Sequence, residues 1–401
     1  MARNGCRWWR GAVFALALVS PLVPARGFGL TSTWTGGGLD DLWTTGNNWG
    51  GTAPVSGNDL TFPSGAMQLT NFNNFMNLTA FRSIMLSGSG YTLEGQSISL
   101  TDGITNSSGG DDDIEISFRL TASQTFQVDN AGTMTKYVLL APEGPNTLTF
   151  DGAGDHLAQG VIQDNFFTPG AQGGNVTKNG TGTLTLAAPV NGYSGATTLN
   201  DGTLLVNGIN SLSSITSVLG GTLGGTGGTG NLMATGGTVN PGVGGPGILS
   251  AFGDVAFVSP ATFAVELNGT TAGTDYDQLK VQFASVMHPG TVSLGNAALS
   301  VSLGFAPPVG TIFVIIDNAF NDPITGTFDG LPEGAALTVD GTRLRVSYIG
   351  GTGNDVTLEV LPPLLAAAAP ALDWHGLVLS IALLAAVGIL RVRLVRRSTP
   401  M

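Results

Sequence analysis

Cysteine is almost missing from this 401-residue chain: the single one, Cys6, lies ahead of the first apolar run. With the N-terminus removed no thiol would remain, and with it no disulfide, no thiolate metal site and no cysteine nucleophile. Histidine is nearly as scarce. His156, His288 and His375 stand apart, and none has a partner in a motif that would make it a base or a ligand. No catalytic, cofactor-binding or metal-binding residue is therefore expected. Positive charge is missing from the body: residues 27–373 hold all 27 acidic residues but only seven of the 15 basic ones. Such an acidic surface repels nucleic acid, so no nucleic-acid partner is expected. A 3.6-residue apolar period is also lacking between residues 30 and 360, which disfavours a helical fold. The 61 glycines fall well short of one in three and exclude collagen.

What is present is regular alternation. Gly174 to Gly208 reads as three short runs of Thr, Leu and Val punctuated by Asn179-Gly180, Asn191-Gly192, Asp201-Gly202 and Asn207-Gly208. In Thr183-Leu184-Thr185-Leu186 the leucines fall on one face and the threonines on the other, the period of a half-buried strand. Each Asn-Gly or Asp-Gly tolerates positive φ and bends the chain. Strands this short need neighbours stacked above and below them. The same grammar runs from Phe81–Leu86, Tyr91–Leu100 and Ile114–Leu120 through to Leu337–Val346 and Val356–Val360. It predicts an all-β chain of many short strands.

The two ends differ from the body. Arg3, Arg7 and Arg10, an apolar run from Gly11 to Val19, and small residues at Val23 and Ala25 form the layout of a secretory signal peptide cut after Ala25. Secretion machinery and signal peptidase are its expected partners. At the other end, a Pro- and Ala-rich linker leads into a mostly apolar run from Trp374 to Leu390, followed by Arg391, Arg393, Arg396 and Arg397. Those 17 residues as helix would span roughly 25 Å, extended by snorkelling arginines toward a hydrocarbon core of about 30 Å. The arginines place the C-terminus in the cytoplasm and the acidic body outside.

Several stretches invite a functional reading with a plainer rival beside it. Trp34, Trp43 and Trp49 could stack on sugars, or could close the open end of a stack; the cap is the expectation. Asp40-Asp41 and Asp111-Asp112-Asp113 read as solvated turns more than as cation ligands. Leu223 to Gly230 resembles a phosphate loop only superficially, lacking a lysine and a following helix. Gly350-Gly351-Thr352-Gly353-Asn354-Asp355 resembles the start of a calcium-binding nonapeptide, but it stands alone and with Thr357 where an apolar residue belongs, so a β-turn is favoured.

Two resemblances add to this. Thr177 to Leu186, Asn191-Gly192-Tyr193-Ser194-Gly195 and Asp201-Gly202-Thr203-Leu204 resemble the passenger-associated transport repeat, also called the autotransporter-associated β-strand repeat. That resemblance implies a right-handed parallel β-helix. Pro370, Leu372, Trp374, Gly376 and Leu377, with the apolar run and the arginine cluster, resemble the IPTL-CTERM sorting tail, a relative of the PEP-CTERM tail. It implies processing by an exosortase-type membrane enzyme, with His375 interfacial. No alternating ~10-residue strands of a membrane β-barrel are apparent near the C-terminal end. The expected organisation is a signal peptide (1–25), an N-terminal β-helix region with a Trp-rich cap (26–173), the repeat region (174–250), a C-terminal β-helix region (251–360), a linker with the sorting motif (361–373), and a membrane helix with a basic tail (374–401). The expected role is structural or adhesive at the cell surface, in envelope, matrix or biofilm, with polysaccharide or another surface ligand as partner. The alternatives are a β-helix polysaccharide lyase or hydrolase, which would need clustered carboxylates, and a calcium-stabilised matrix protein.

Overall fold

The computed structural model describes residues 29–210, 214–283 and 290–364. Runs in which every second residue is apolar form strands of two to nine residues, and equivalent strands of successive coils pair in parallel. Each coil gives one strand to a 12-stranded sheet running from Thr31–Thr33 to Val292–Ser293 and one to an 11-stranded sheet running from Thr70–Asn73 to Ala298–Leu303. The third side is a five-stranded sheet from Thr79–Phe81 to Val161–Ile162, then a seven-stranded sheet beginning at Gly228–Thr229. Isolated bridges from Val190 to Ile209 and from Ile209 to Gly228 carry this side across the interval. The body is a parallel β-helix.

Register makes the core. On the 11-stranded sheet Met134, His156, Leu184, Leu204, Leu223, Val239, Phe263 and Leu299 stack in one inward ladder. On the 12-stranded sheet Ile104, Phe126, Phe150, Lys178, Leu199 and Val218 do the same. Nearly all of these are fully buried, and each large apolar rung contributes about 1.5–3 kcal/mol. A slip of one residue would turn every rung to solvent, which is why the pairing is unambiguous. The repeat advances by roughly 20 residues per coil, as Leu184 over Leu204 illustrates.

Several runs that read as single strands are bent into two. Phe81 to Leu86 splits into Thr79–Phe81 and Ser83–Leu86, with Arg82 at the corner held by Asp59 and by Asp102 at 3.4 Å. Tyr91 to Leu100 and Ile114 to Leu120 split in the same way. Apolar residues continue on both sides of such a corner because both walls face the same core. Residues 251–360, expected to continue the coils, do so as far as Ile312–Asn318. That strand pairs in parallel with Gln278–Val281 on one side and antiparallel with Asp355–Leu361 on the other. Thr342–Gly350 and Ala336–Val339 follow, also antiparallel. Leu361, expected to open the linker, instead ends the last strand. Among the described residues no helix is long and apolar enough to cross a membrane.

Candidate functional site

Trp34 and Trp43 are fully buried and Trp49 nearly so, at 7 % exposure. Trp49 packs edge to face on Trp34, Trp43 and Phe62, and Trp43 edge to face on Phe81, with Trp34 and Trp49 centroids 5.1 Å apart. Each indole N–H donates internally: Trp34 to the Gln68 carbonyl at 2.8 Å, Trp43 to Asn71 Oδ1 at 2.6 Å, Trp49 to the Trp43 carbonyl at 2.8 Å. No ring face is left for a sugar, and the cluster is the plug of the N-terminal end. Asp40 serves the same cap, accepting from the Leu42 amide, the Thr45 hydroxyl and the Asn48 amide group.

The ionisable groups that stood out in sequence are structural, though not always as expected. His156 lies inside the stack between Tyr137 and Phe150. Tyr137 O–H donates to Nδ1 at 3.1 Å, and Nε2 donates to the Asp151 carbonyl at 3.2 Å. Burial pushes its pKa down to about 4, so the ring is neutral and has no substrate-facing edge. Asp112, expected at a solvated tip, is instead buried. Its Oδ1 accepts the Tyr91 amide at 2.7 Å and its Oδ2 accepts from Asn106 at 2.8 Å, and burial raises its pKa to about 7. The correction follows from strand parity: Asp112 lies in phase with Ile114, which points inward. Asp113 points outward and meets Lys136 at 2.8 Å.

Three buried polar side chains carried no sequence signal beyond that same parity. Asp277 latches the Gly247 and Glu266 amides, each at 2.8 Å, with its pKa raised by burial to about 6. Asp164 accepts the Gly174 amide at 3.2 Å and the Ser194 amide at 2.8 Å. Lys178 occupies a rung of the apolar ladder and donates to the carbonyls of Asn179 and Gly180; burial lowers its pKa. No group of three or more His, Cys, Asp or Glu that could hold a metal occurs among the described residues.

The two glycine motifs belong to the strands of the stack and the turns between them. In the phosphate-loop look-alike, Gly225, Gly227 and Gly228 donate their amides to Gly242, Val206 and Gly208 at 2.7–2.9 Å, so these three amides serve the stack and not an anion. In the calcium look-alike, Asp355 accepts the Asn318 amide at 2.9 Å and the Thr352 amide at 3.1 Å. It closes the turn between the last two strands.

What remains outward and organised is the face of the 12-stranded sheet. Thr125, Thr149, Thr177, Thr198 and Ser217 stand in register on five successive strands, a ladder of hydroxyls. The ladder begins at Thr125, beside Gly103, which is buried and packed so closely that a Cβ there would overlap the Thr125 carbonyl. Over its first two rungs lies a groove of ≈ 330 Å³ bordered by Asp102, Thr105, Ser123, Gln124, Thr125, Gln127, Thr147 and Thr149. A second ladder on the 11-stranded sheet, Thr183, Thr203, Thr222, Thr238 and Thr262, is equally regular.

The signal-cleavage residues Val23 and Ala25, the sorting residues Pro370, Leu372, Trp374, Gly376, Leu377, Arg391, Arg393, Arg396 and Arg397, and His288 and His375 lie outside the described residues. Against known families, residues 176–206 match the model of the passenger-associated-transport-repeat. That interval covers the strands Asn175–Lys178 to Thr203–Val206, one coil and the start of the next. No curated protein matches the chain. The repeat together with the parallel sheets fits an exported β-helical protein of the autotransporter-passenger type.

Proposed function

We propose that the chain is an exported cell-surface protein whose β-helix, wound right-handed as parallel crossovers are, serves a structural or adhesive role in envelope, matrix or biofilm. The observation that carries this reading is the match to the passenger repeat at residues 176–206, set within a long parallel stack. The signal peptide at 1–25 delivers the chain to the secretion machinery and signal peptidase. The sorting motif and apolar run beyond Pro370 tether it to the membrane or hand it to an exosortase-type enzyme. The β-helix acts by presenting surface to a polysaccharide or another cell, without catalysis of its own. A stack whose buried ionisable groups are spent on its own backbone supports that role better than a hydrolytic one.

Two measurements test it. The intact mass of the protein from envelope fractions should correspond to a start at Arg26; a mass that includes residues 1–25 would contradict export by this route. A deletion strain should attach to surfaces less well than its parent, and unchanged attachment and matrix would count against the role.

A further inference from the structure

We propose that the groove between Thr105 and Thr149 binds a neutral polysaccharide, which continues along the stack axis over Thr149, Thr177, Thr198 and Ser217. This rests on the surface role proposed above and names its ligand class and its site. The lining decides the class. Thr105, Ser123, Thr125, Gln127, Thr147 and Thr149 offer hydroxyl and amide groups, which both donate and accept, the chemistry that matches sugar hydroxyls. No lysine or arginine borders the groove, so a polyanion finds no counter-charge there. The one carboxylate at its rim, Asp102, is paired with Arg82, and a single carboxylate does not make a cation site. The groove is also mid-sheet, between strands already paired on both sides, so an added peptide strand has no edge to join.

The direction follows from the register. The side chain opposite Thr125 on the next coil is Thr149, and then Thr177, Thr198 and Ser217, each about 4.8 Å further along. That spacing is close to the length of one sugar ring, so successive residues of an extended glycan meet equivalent hydroxyls. Across the sheet the outward side chains change in kind, from Thr125 to Gln127 and from Thr149 to Asp151. An extended neutral chain lies along the ladder and not across it.

The test uses the mature purified chain and affinity electrophoresis in gels containing β-1,3-glucan, β-1,4-glucan, mannan or galactan, with alginate as the anionic comparison. Retardation by at least one neutral polymer and none by alginate is the expected result. The Thr125→Ala/Gln127→Ala double variant should weaken that binding at least tenfold while melting within a few degrees of the parent, because both side chains point outward. Thr222→Ala, on the other sheet, should leave binding unchanged. Retention of no neutral polymer, preference for alginate, or undiminished binding by the double variant would each overturn the proposal. If deletion lowers attachment while no glycan is bound, the groove fails and the surface role stands; if glycan is bound and attachment is unchanged, the reverse holds.

Discussion

His156 and Asp112 are both buried ionisable groups, yet they answer acid in opposite directions. The fold keeps His156 neutral, with its pKa near 4 against 6.5 in an unfolded chain. As pH falls from about 6.5 to 4 the unfolded chain gains a proton that the fold refuses, and stability is lost. Replacing the pair by a ladder residue and its unhydroxylated neighbour, His156→Leu with Tyr137→Phe, should remove on the order of 3 kcal/mol of that acid loss. Urea unfolding at pH 7 and pH 4.5 reads it, and an equal loss in parent and variant would refute the assignment. Asp112, with a folded pKa near 7 against 3.8, favours its protonated form in the fold. Its contribution is fully present below about 4 and disappears as pH rises to 7. Asp112→Asn keeps one carbonyl oxygen for the Tyr91 amide, so its melting temperature relative to the parent should rise between pH 5 and pH 8. Neither group was evident as buried from its neighbours in sequence. Three adjacent aspartates suggest a loop tip, and only the phase of Ile114 and Ile116 says that the middle one turns inward. Lys178 is hidden the same way, two residues after the inward Val176.

Elements were more legible than corners. Alternation located the strands because a half-buried strand imposes a period of two on any sequence that forms it. It could not locate the bends, since both walls of a corner face one core and the apolar run continues through it, as at Arg82. The antiparallel end was illegible too, because alternation says nothing of strand direction. The Trp cap was the element read most directly, and it should matter most to its own end. Trp43→Ala should cost about 3–5 kcal/mol, with hydrogen exchange accelerating first in Thr31–Thr33 and Asp59–Phe62 and least in the C-terminal sheet. Uniform acceleration would argue against a local cap. Corners predict a contrast as well. Gly152 has φ +104 and its Cβ would overlap the Val128 carbonyl, whereas Gly144 has φ +64 and open space around it. Gly144→Ala should cost roughly 1 kcal/mol from backbone strain alone, and Gly152→Ala several times more, measured by thermal melting.

At the scale of the molecule, the stack is held by nearest neighbours, so whole coils are separable units. Because Leu184 sits over Leu204, deleting residues 184–203 removes one coil and rejoins the ladders in phase. That variant should fold, with slightly lower stability and the same circular dichroism per residue. Deleting 184–202 instead shifts the phase by one, places Thr203 in the core, turns Leu204 and Val206 outward and should give no folded protein. Equal behaviour of the two would show that register is not what specifies the fold.

The antiparallel strand Asp355–Leu361 occupies the edge of Ile312–Asn318 on which a further coil would have been laid. It acts on that wall as a chain terminator acts on a growing polymer. No further parallel coil can be laid on that strand, and the edge of this wall passes instead to Ala336–Val339. Lengthening has to come from duplicating interior coils, each adding about 4.8 Å while both ends keep their sequences. A family built this way would vary in length in whole coils and hold its two ends constant.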